Sequence, residues 1–234
     1  MLAARRGPEL ERVAAECGPA PEVVVADVRR RADVERLRDA ALRRFGRVDV
    51  WVNNAGRGIT RAVLDLSDED VDEMMAVNLK SALYGMQAIV PHFQERGEGH
   101  LINVSSFLGR VPFVAFRSAY NAAKHALNAL TANLRMDLCN SHPGIHVSLV
   151  MPGVVRTEFA ANALGGVPGG GPPGGPPGQT AEEVAAVIAA LIEHPVAEVY
   201  TNPASAEMAR RYYQDVGAFE AQSSAGSHRA GGPS

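Results

Sequence analysis

The chain has 234 residues, 46% of them apolar and 21% charged, and a net charge of −3. That apolar content is enough for one domain with a substantial core, and the charge balance gives no broad basic footprint of the kind nucleic acid requires. Cys17 and Cys139 stand far apart, which excludes a disulfide framework and a thiolate metal cluster, and no apolar run reaches the length of a membrane-spanning helix. A reducing, cytoplasmic setting is the simplest reading, and the first residues show no signal-peptide core.

In chain order, a helix is predicted near 8–17, then a strand near 22–27 in Val23-Val24-Val25-Ala26-Asp27-Val28, ending in an acid. Arg29, Arg30 and Arg31 follow at the start of a helix predicted over 31–45 and read as a solvated cluster. Further strands are predicted near 48–53, 100–105, 145–151 and 197–201, and helices near 68–79, 80–96, 118–141 and 181–193. Such alternation argues a parallel, doubly wound α/β sheet in a single domain spanning 1–205. Within it, the Gly/Pro-rich segment 165–178 cannot bury a core and is expected to form a mobile loop, with a lid and a bland linker both open as its role. Residues 206–220 are expected to form a helical extension and 221–234 a disordered tail.

Four local features carry chemistry. Tyr120 and Lys124 are four residues apart in a predicted helix, so phenol and ammonium share one face. A free phenol titrates near ~10, and a fixed cation beside it lowers that value toward the range useful for proton transfer. The apolar run Leu101-Ile102-Asn103-Val104-Ser105-Ser106 reads as a buried strand whose carboxyl end presents Ser106 to the crevice where open α/β sheets bind ligands. Val48-Asp49-Val50-Trp51-Val52-Asn53-Asn54-Ala55-Gly56 is a second strand ending in a tight turn that a flat ligand can approach closely. Asn78 interrupts an apolar helical pattern, where its side chain competes with the backbone for hydrogen bonds. The histidines show no ligand spacing, so no metal site is expected.

Together with Pro152-Gly153-Val154-Val155-Arg156-Thr157, these pieces stand in an order that resembles the short-chain dehydrogenase/reductase family over roughly residues 1–160. The resemblance implies a Rossmann-type sheet, a nicotinamide dinucleotide and hydride transfer between an alcohol and a carbonyl. It implies that Tyr120 is the general acid/base, that Lys124 lowers its pKa and holds the nicotinamide ribose, that Ser106 hydrogen-bonds the substrate oxygen, and that Asn78 positions a water leading from Lys124 to solvent. Asn53, Ala55, Gly56, Pro152, Gly153, Val155 and Thr157 would line the cofactor, with Asp27 and Val28 flanking the adenine. A homo-oligomer is a further expectation from the family.

Two departures qualify it. The loop from Ser106 to Tyr120 is one residue longer than the family's common spacing, which leaves Ser105 as a competitor for the role given to Ser106. The larger departure is at the start, where no Thr-Gly-x-x-x-Gly-x-Gly turn is present to cradle a pyrophosphate. Met1 to Leu10 resemble the end of the family's second strand running into its next helix, so a fold lacking its first strand, glycine-rich turn and first helix is expected, as from a misplaced start. Arg5 and Arg6 would then meet an adenosine 2'-phosphate, which favours NADP over NAD. The competing reading is a non-catalytic scaffold, or a chain impaired in cofactor binding.

Overall fold

The computed structural model describes residues 1–18, 21–166 and 178–229, with side chains described as far as residue 223. The strands are β1 (Leu2–Ala4), β2 (Val23–Val25), β3 (Val50–Asn53), β4 (Gly99–Val104), β5 (Ile145–Met151) and β6 (Glu198–Tyr200). Between and after them come α1 (Gly7–Glu16), α2 (Arg31–Phe45), α3 (Asp68–Met75), α4 (Ser81–Arg96), α5 (Ser118–Leu138), α6 (Ala181–Glu193), α7 (Ala204–Gln214) and α8 (Val216–Arg229). Every strand pairing is parallel, as expected where each strand is followed by a crossover helix. The strands divide into two sheets, however: β1-β2, and β3-β4-β5-β6.

The N-terminal residues correct one expectation. Leu2–Ala4 pair in register with Val23–Val25, and α1 opens on Gly7-Pro8, where proline's missing N–H would have had no intrahelical partner anyway. A first strand and a first helix are therefore present, and the chain is not a fold that lacks them. The strand end and helix read from Met1 to Leu10 are these two elements, and the error lay in their assignment, not in their presence. The connection between β1 and α1 is Arg5-Arg6, and the one glycine nearby, Gly7, opens the helix.

β4 and β5 read as near-continuous apolar runs because both faces are covered, and five of the six β4 residues are buried. The main core joins Leu101 and Val147 to Ile89 and Phe93 of α4 and Leu127 of α5. A second cluster, Ile59, Met74, Val77, Ala119 and Tyr120, sits beyond the strand ends and anchors the first turn of α5.

α3 starts on a reciprocal capping box, in which Ser67 Oγ accepts from the Asp70 N–H and the Asp70 carboxylate accepts from the Ser67 N–H. Between α3 and α4 the helix widens into a π turn over Ala76–Lys80, at the asparagine that breaks the apolar pattern. Asn78 Nδ2 donates to the Met74 carbonyl at 3.1 Å, competing with the helix ladder.

α4 approaches β3 closely at Gly85, where a Cβ would fall 2.1 Å from Asn53 Oδ1 and 2.8 Å from Trp51 Nε1. Those two atoms are bonded to each other at 2.8 Å. Gly85→Ala is expected to lower stability by about 1–3 kcal/mol through overpacking, and a denaturant midpoint equal to wild type would show that α4 can shift freely.

α7 and α8 follow β6, and Phe219 meets the ring of Tyr212 at 5.5 Å against the cluster around Phe107. α8 continues to Arg229, within the span expected as a disordered tail. Most of the Gly/Pro-rich segment, 167–177, and the end of the tail, 230–234, lie outside the described residues.

Candidate active site

The carboxyl ends of β3, β4 and β5 open onto one cavity of about 1490 Å³. Its lining includes Arg5, Arg6, Asp27 and Val28 toward the two-stranded sheet, and Ser106, Tyr120, Lys124 and the loop after β5 toward the four-stranded one. Of the residues singled out in the sequence, Asn53, Ala55, Gly56, Pro152, Gly153, Val155 and Thr157 also line it. Asn78 does not line the cavity and lies just behind it.

Tyr120 and Lys124 occupy one face of α5, both buried, with Lys124 Nζ 5.8 Å from the centre of the Tyr120 ring. Nζ donates to the Val104 carbonyl at 3.0 Å, which ties the ammonium to the end of β4. The Tyr120 ring packs edge-on against Phe159 at 5.6 Å. Burial pushes the Tyr120 phenol up to about 12, while a hydrogen bond from Ser106 and the charge of Arg117 pull the other way. Burial also pulls Lys124 down to about 8. Desolvation therefore dominates both groups, and the cation acting on the phenol in this state is Arg117, whose position along the chain carries no spacing signal.

Ser105 and Ser106 have separate tasks. Ser105 points inward, with Oγ donating to Asn128 Oδ1 at 2.5 Å and lying 3.4 Å from the Lys124 carbonyl. Ser106 caps the short helical turn Phe107–Gly109, accepting from the Leu108 N–H at 3.1 Å, and it is the serine whose hydroxyl pulls the Tyr120 phenol down against burial.

Asn78 is clamped to the turn after β3. Its Oδ1 accepts from the Arg57 N–H at 3.1 Å and its Nδ2 donates to the Arg57 carbonyl at 2.9 Å. A Cβ on Gly56 would lie 3.2 Å from Asn78 Oδ1 and 3.7 Å from Lys124 Nζ, so the glycine keeps the floor of the cavity open between them. Asn53 has an internal role, donating to Asn103 Oδ1 at 2.8 Å and to the Ala82 carbonyl at 3.3 Å. It fastens β3 to β4 and α4.

Arg29 is not a solvated member of a basic cluster. It forms ion pairs with Asp27 at 2.6 Å and Glu73 at 3.0 Å, and Arg57 reaches the same Glu73 at 3.3 Å. This chain of charges links the end of β2, α3 and the turn after β3. Hydrogen bonding from Arg29 holds the Asp27 carboxyl below its ordinary range. The pairing spans 44 residues, which no local pattern reveals. Arg6 meets Glu9 at 3.5 Å, whereas Arg5 lies close enough to Asp27 to act on its charge.

Among the described residues, no group of His, Cys, Asp and Glu has the arrangement of a metal site, and no helix is long and apolar enough to cross a membrane.

The pattern of the short chain dehydrogenase family matches residues 1–165. An uncharacterized oxidoreductase of Staphylococcus epidermidis is 31% identical over 157 residues, covering 67% of each chain. A probable galactose dehydrogenase of Rhizobium meliloti is 37% identical over 63% of this chain and 57% of its own length. Among solved structures, a short chain dehydrogenase/reductase from Burkholderia phymatum in complex with NAD superposes with a TM-score of 0.80 at 26% identity, covering 92% of this chain and 84% of that one. An alcohol dehydrogenase from the archaeon Thermococcus sibiricus, complexed with 5-hydroxy-NADP, gives 0.71 at 26% identity over 85% and 83%. With the parallel α/β order and the matched span covering well over half its length, the chain belongs to the short-chain dehydrogenase family.

Proposed function

We propose that this protein is an NADP-dependent oxidoreductase that reduces a carbonyl substrate, with Tyr120 as the proton donor. The observation that carries this reading is the convergence of Ser106, Tyr120 and Lys124 at the end of one large cavity. Hydride addition to a carbonyl carbon builds negative charge on its oxygen, so two hydroxyls aimed at that oxygen stabilise the transition state more than the ground state. The phenol is protonated at neutral pH, so it has a proton to give to the oxygen as the hydride arrives. Lys124, fixed by the Val104 carbonyl, places a positive charge behind the phenol as its proton leaves. Asn78 supports the site by holding the turn at Gly56 and Arg57 open against the Lys124 ammonium.

The cavity suits a nicotinamide dinucleotide at both ends. The bare backbone at Gly56 allows a flat ring to approach, and Arg5 and Arg6 face the end bounded by Asp27 and Val28. When bound, the dinucleotide supplies the hydride. Arginine beside that end fits a 2'-phosphate, and similar structures carry NAD in one case and an NADP analogue in another. Replacing Arg5 and Arg6 together by Ala is expected to weaken NADPH binding at least about tenfold and leave NADH unchanged, in line with the ~1.5–3 kcal/mol of charge-assisted hydrogen bonds. Fluorescence titration checks this, and equal losses for both cofactors would count against NADP.

The lack of a glycine-rich turn between β1 and α1 favours one second reading, a binding protein without catalysis. A panel of aldehydes and ketones assayed with NADPH and NADH separates the two. No binding of either cofactor and no nicotinamide oxidation would leave the scaffold reading standing. A homo-oligomer is part of the proposal, and light scattering in solution reads the mass directly.

A further inference from the structure

Arg117 lines the cavity beside Tyr120 without an ion pair among the described residues. Arg29 and Arg57 are paired with carboxylates, but among the described residues Arg117 meets none. Its hydrogen bond runs from Nη1 to the Ile59 carbonyl at 3.1 Å, which leaves Nε and Nη2 free to donate.

The guanidinium is nevertheless held firmly in place. A Cβ on Gly58 would fall 2.7 Å from Arg117 Nη1 and 3.1 Å from Phe159 Cε1, so these two side chains close over the glycine together. Phe159 in turn packs on Tyr120, and the Arg117 charge is felt by the phenol. The walls beside it carry the apolar side chains of Phe113, Val114, Phe116 and Phe159, with the hydroxyls of Ser106 and Tyr120 next to them. The acids that line the cavity are already committed elsewhere: Asp27 to Arg29, and Asp49 to Arg47 and Arg96.

A half-buried cation among apolar side chains carries a desolvation cost that a bound anion offsets. Two free N–H donors of one planar fork match the two oxygens of a carboxylate. We propose that Arg117 recognises a carboxylate on the substrate, so that the substrate class is a carbonyl acid, or the corresponding hydroxy acid, whose apolar body lies against Phe113 and Phe159. The position of the reacting carbonyl rests on the proposed role of Tyr120, whereas anion recognition by Arg117 does not.

The test is equilibrium binding by isothermal titration calorimetry, using the full chain with and without NADPH. The probes are 3-phenylpropanoate and 3-phenylpropanamide, which match in shape and differ in charge. The acid is expected to bind at least about tenfold more tightly than the amide, as charge-assisted hydrogen bonds imply. Arg117→Gln should abolish that preference, and Arg117→Lys, which keeps the charge without the fork, should retain part of it. Equal binding of acid and amide to the wild-type chain, no binding of the acid, or a preference that survives in Arg117→Gln overturns the proposal. If the glutamine variant does not fold, the wild-type comparison and the lysine variant still decide it. Retained acid preference without turnover of any carbonyl acid would count against the Tyr120 reading alone.

Discussion

Tyr120→Phe is expected to lower kcat for any carbonyl substrate by about 10²–10⁴-fold, the usual contribution of a positioned general acid. The phenyl ring keeps the edge-on packing against Phe159 and the burial among Ile59, Met74, Val77 and Ala119, so the fold is expected to persist. Loss of activity should therefore appear without loss of NADPH affinity or of the cooperative unfolding transition. A kcat within tenfold of wild type would remove Tyr120 from the proton-transfer role. Ser106→Ala is the gentler companion, because it removes one of two groups directed at the same oxygen.

Lys124→Met should separate activity from stability. The ammonium is buried and its pKa falls from 10.5 to about 8, so the folded state pays for holding the charge at neutral pH. At ~1.36 kcal/mol per unit, that cost is on the order of 3 kcal/mol. It is offset in part by the bond to the Val104 carbonyl, a net contribution of about 1 kcal/mol. The methionine variant is expected to gain about 2 kcal/mol near pH 7 and to lose most turnover. The sign of the pH dependence follows from proton counting. Between the folded value of about 8 and the unfolded value of 10.5 the unfolded chain binds more protons, so this group makes wild-type stability rise with pH. The advantage of Lys124→Met should therefore shrink from pH 8 toward pH 10, as urea denaturation at each pH would read. Parallel stability curves would show that the lysine is not desolvated. Wild-type reduction should also slow above about pH 8, as the charge behind the phenol is lost.

The placement of much of the candidate site was legible because it is built from local patterns. Helical spacing put Tyr120 and Lys124 on one face of α5, and the end of an apolar run put Ser106 at the mouth of β4. The oddity of Asn78 in its helix marked the π turn, although not the clamp on Arg57 that accounts for it. What sequence could not supply is long-range. Arg29 pairs with Glu73 of α3, and Arg117 and Phe159 meet over Gly58, through contacts that have no period. The direction of the Tyr120 shift was hidden for the same reason. A neighbouring lysine predicts a lower value, but the packing that buries the phenol decides the outcome. At the N-terminus the strand end and helix were read in place but assigned as the second strand of a fold lacking its first, whereas they stand as β1 and α1, with β1 paired to β2.

The division of the strands into two ladders bears on how the molecule breathes. β1 and β2 share three residue pairs and no hydrogen-bonded strand with the rest, whereas β4 and β5 share six. Cooperative units with few buried contacts open at lower free energy than the core, so amide exchange should be faster in β1 and β2 than in β4 and β5. Arg5, Arg6 and Asp27 all belong to that weaker unit. Any ligand that grips them would slow exchange there first, and the protein's gain in order on binding would be concentrated in its opening segment rather than spread over the sheet that carries the tyrosine.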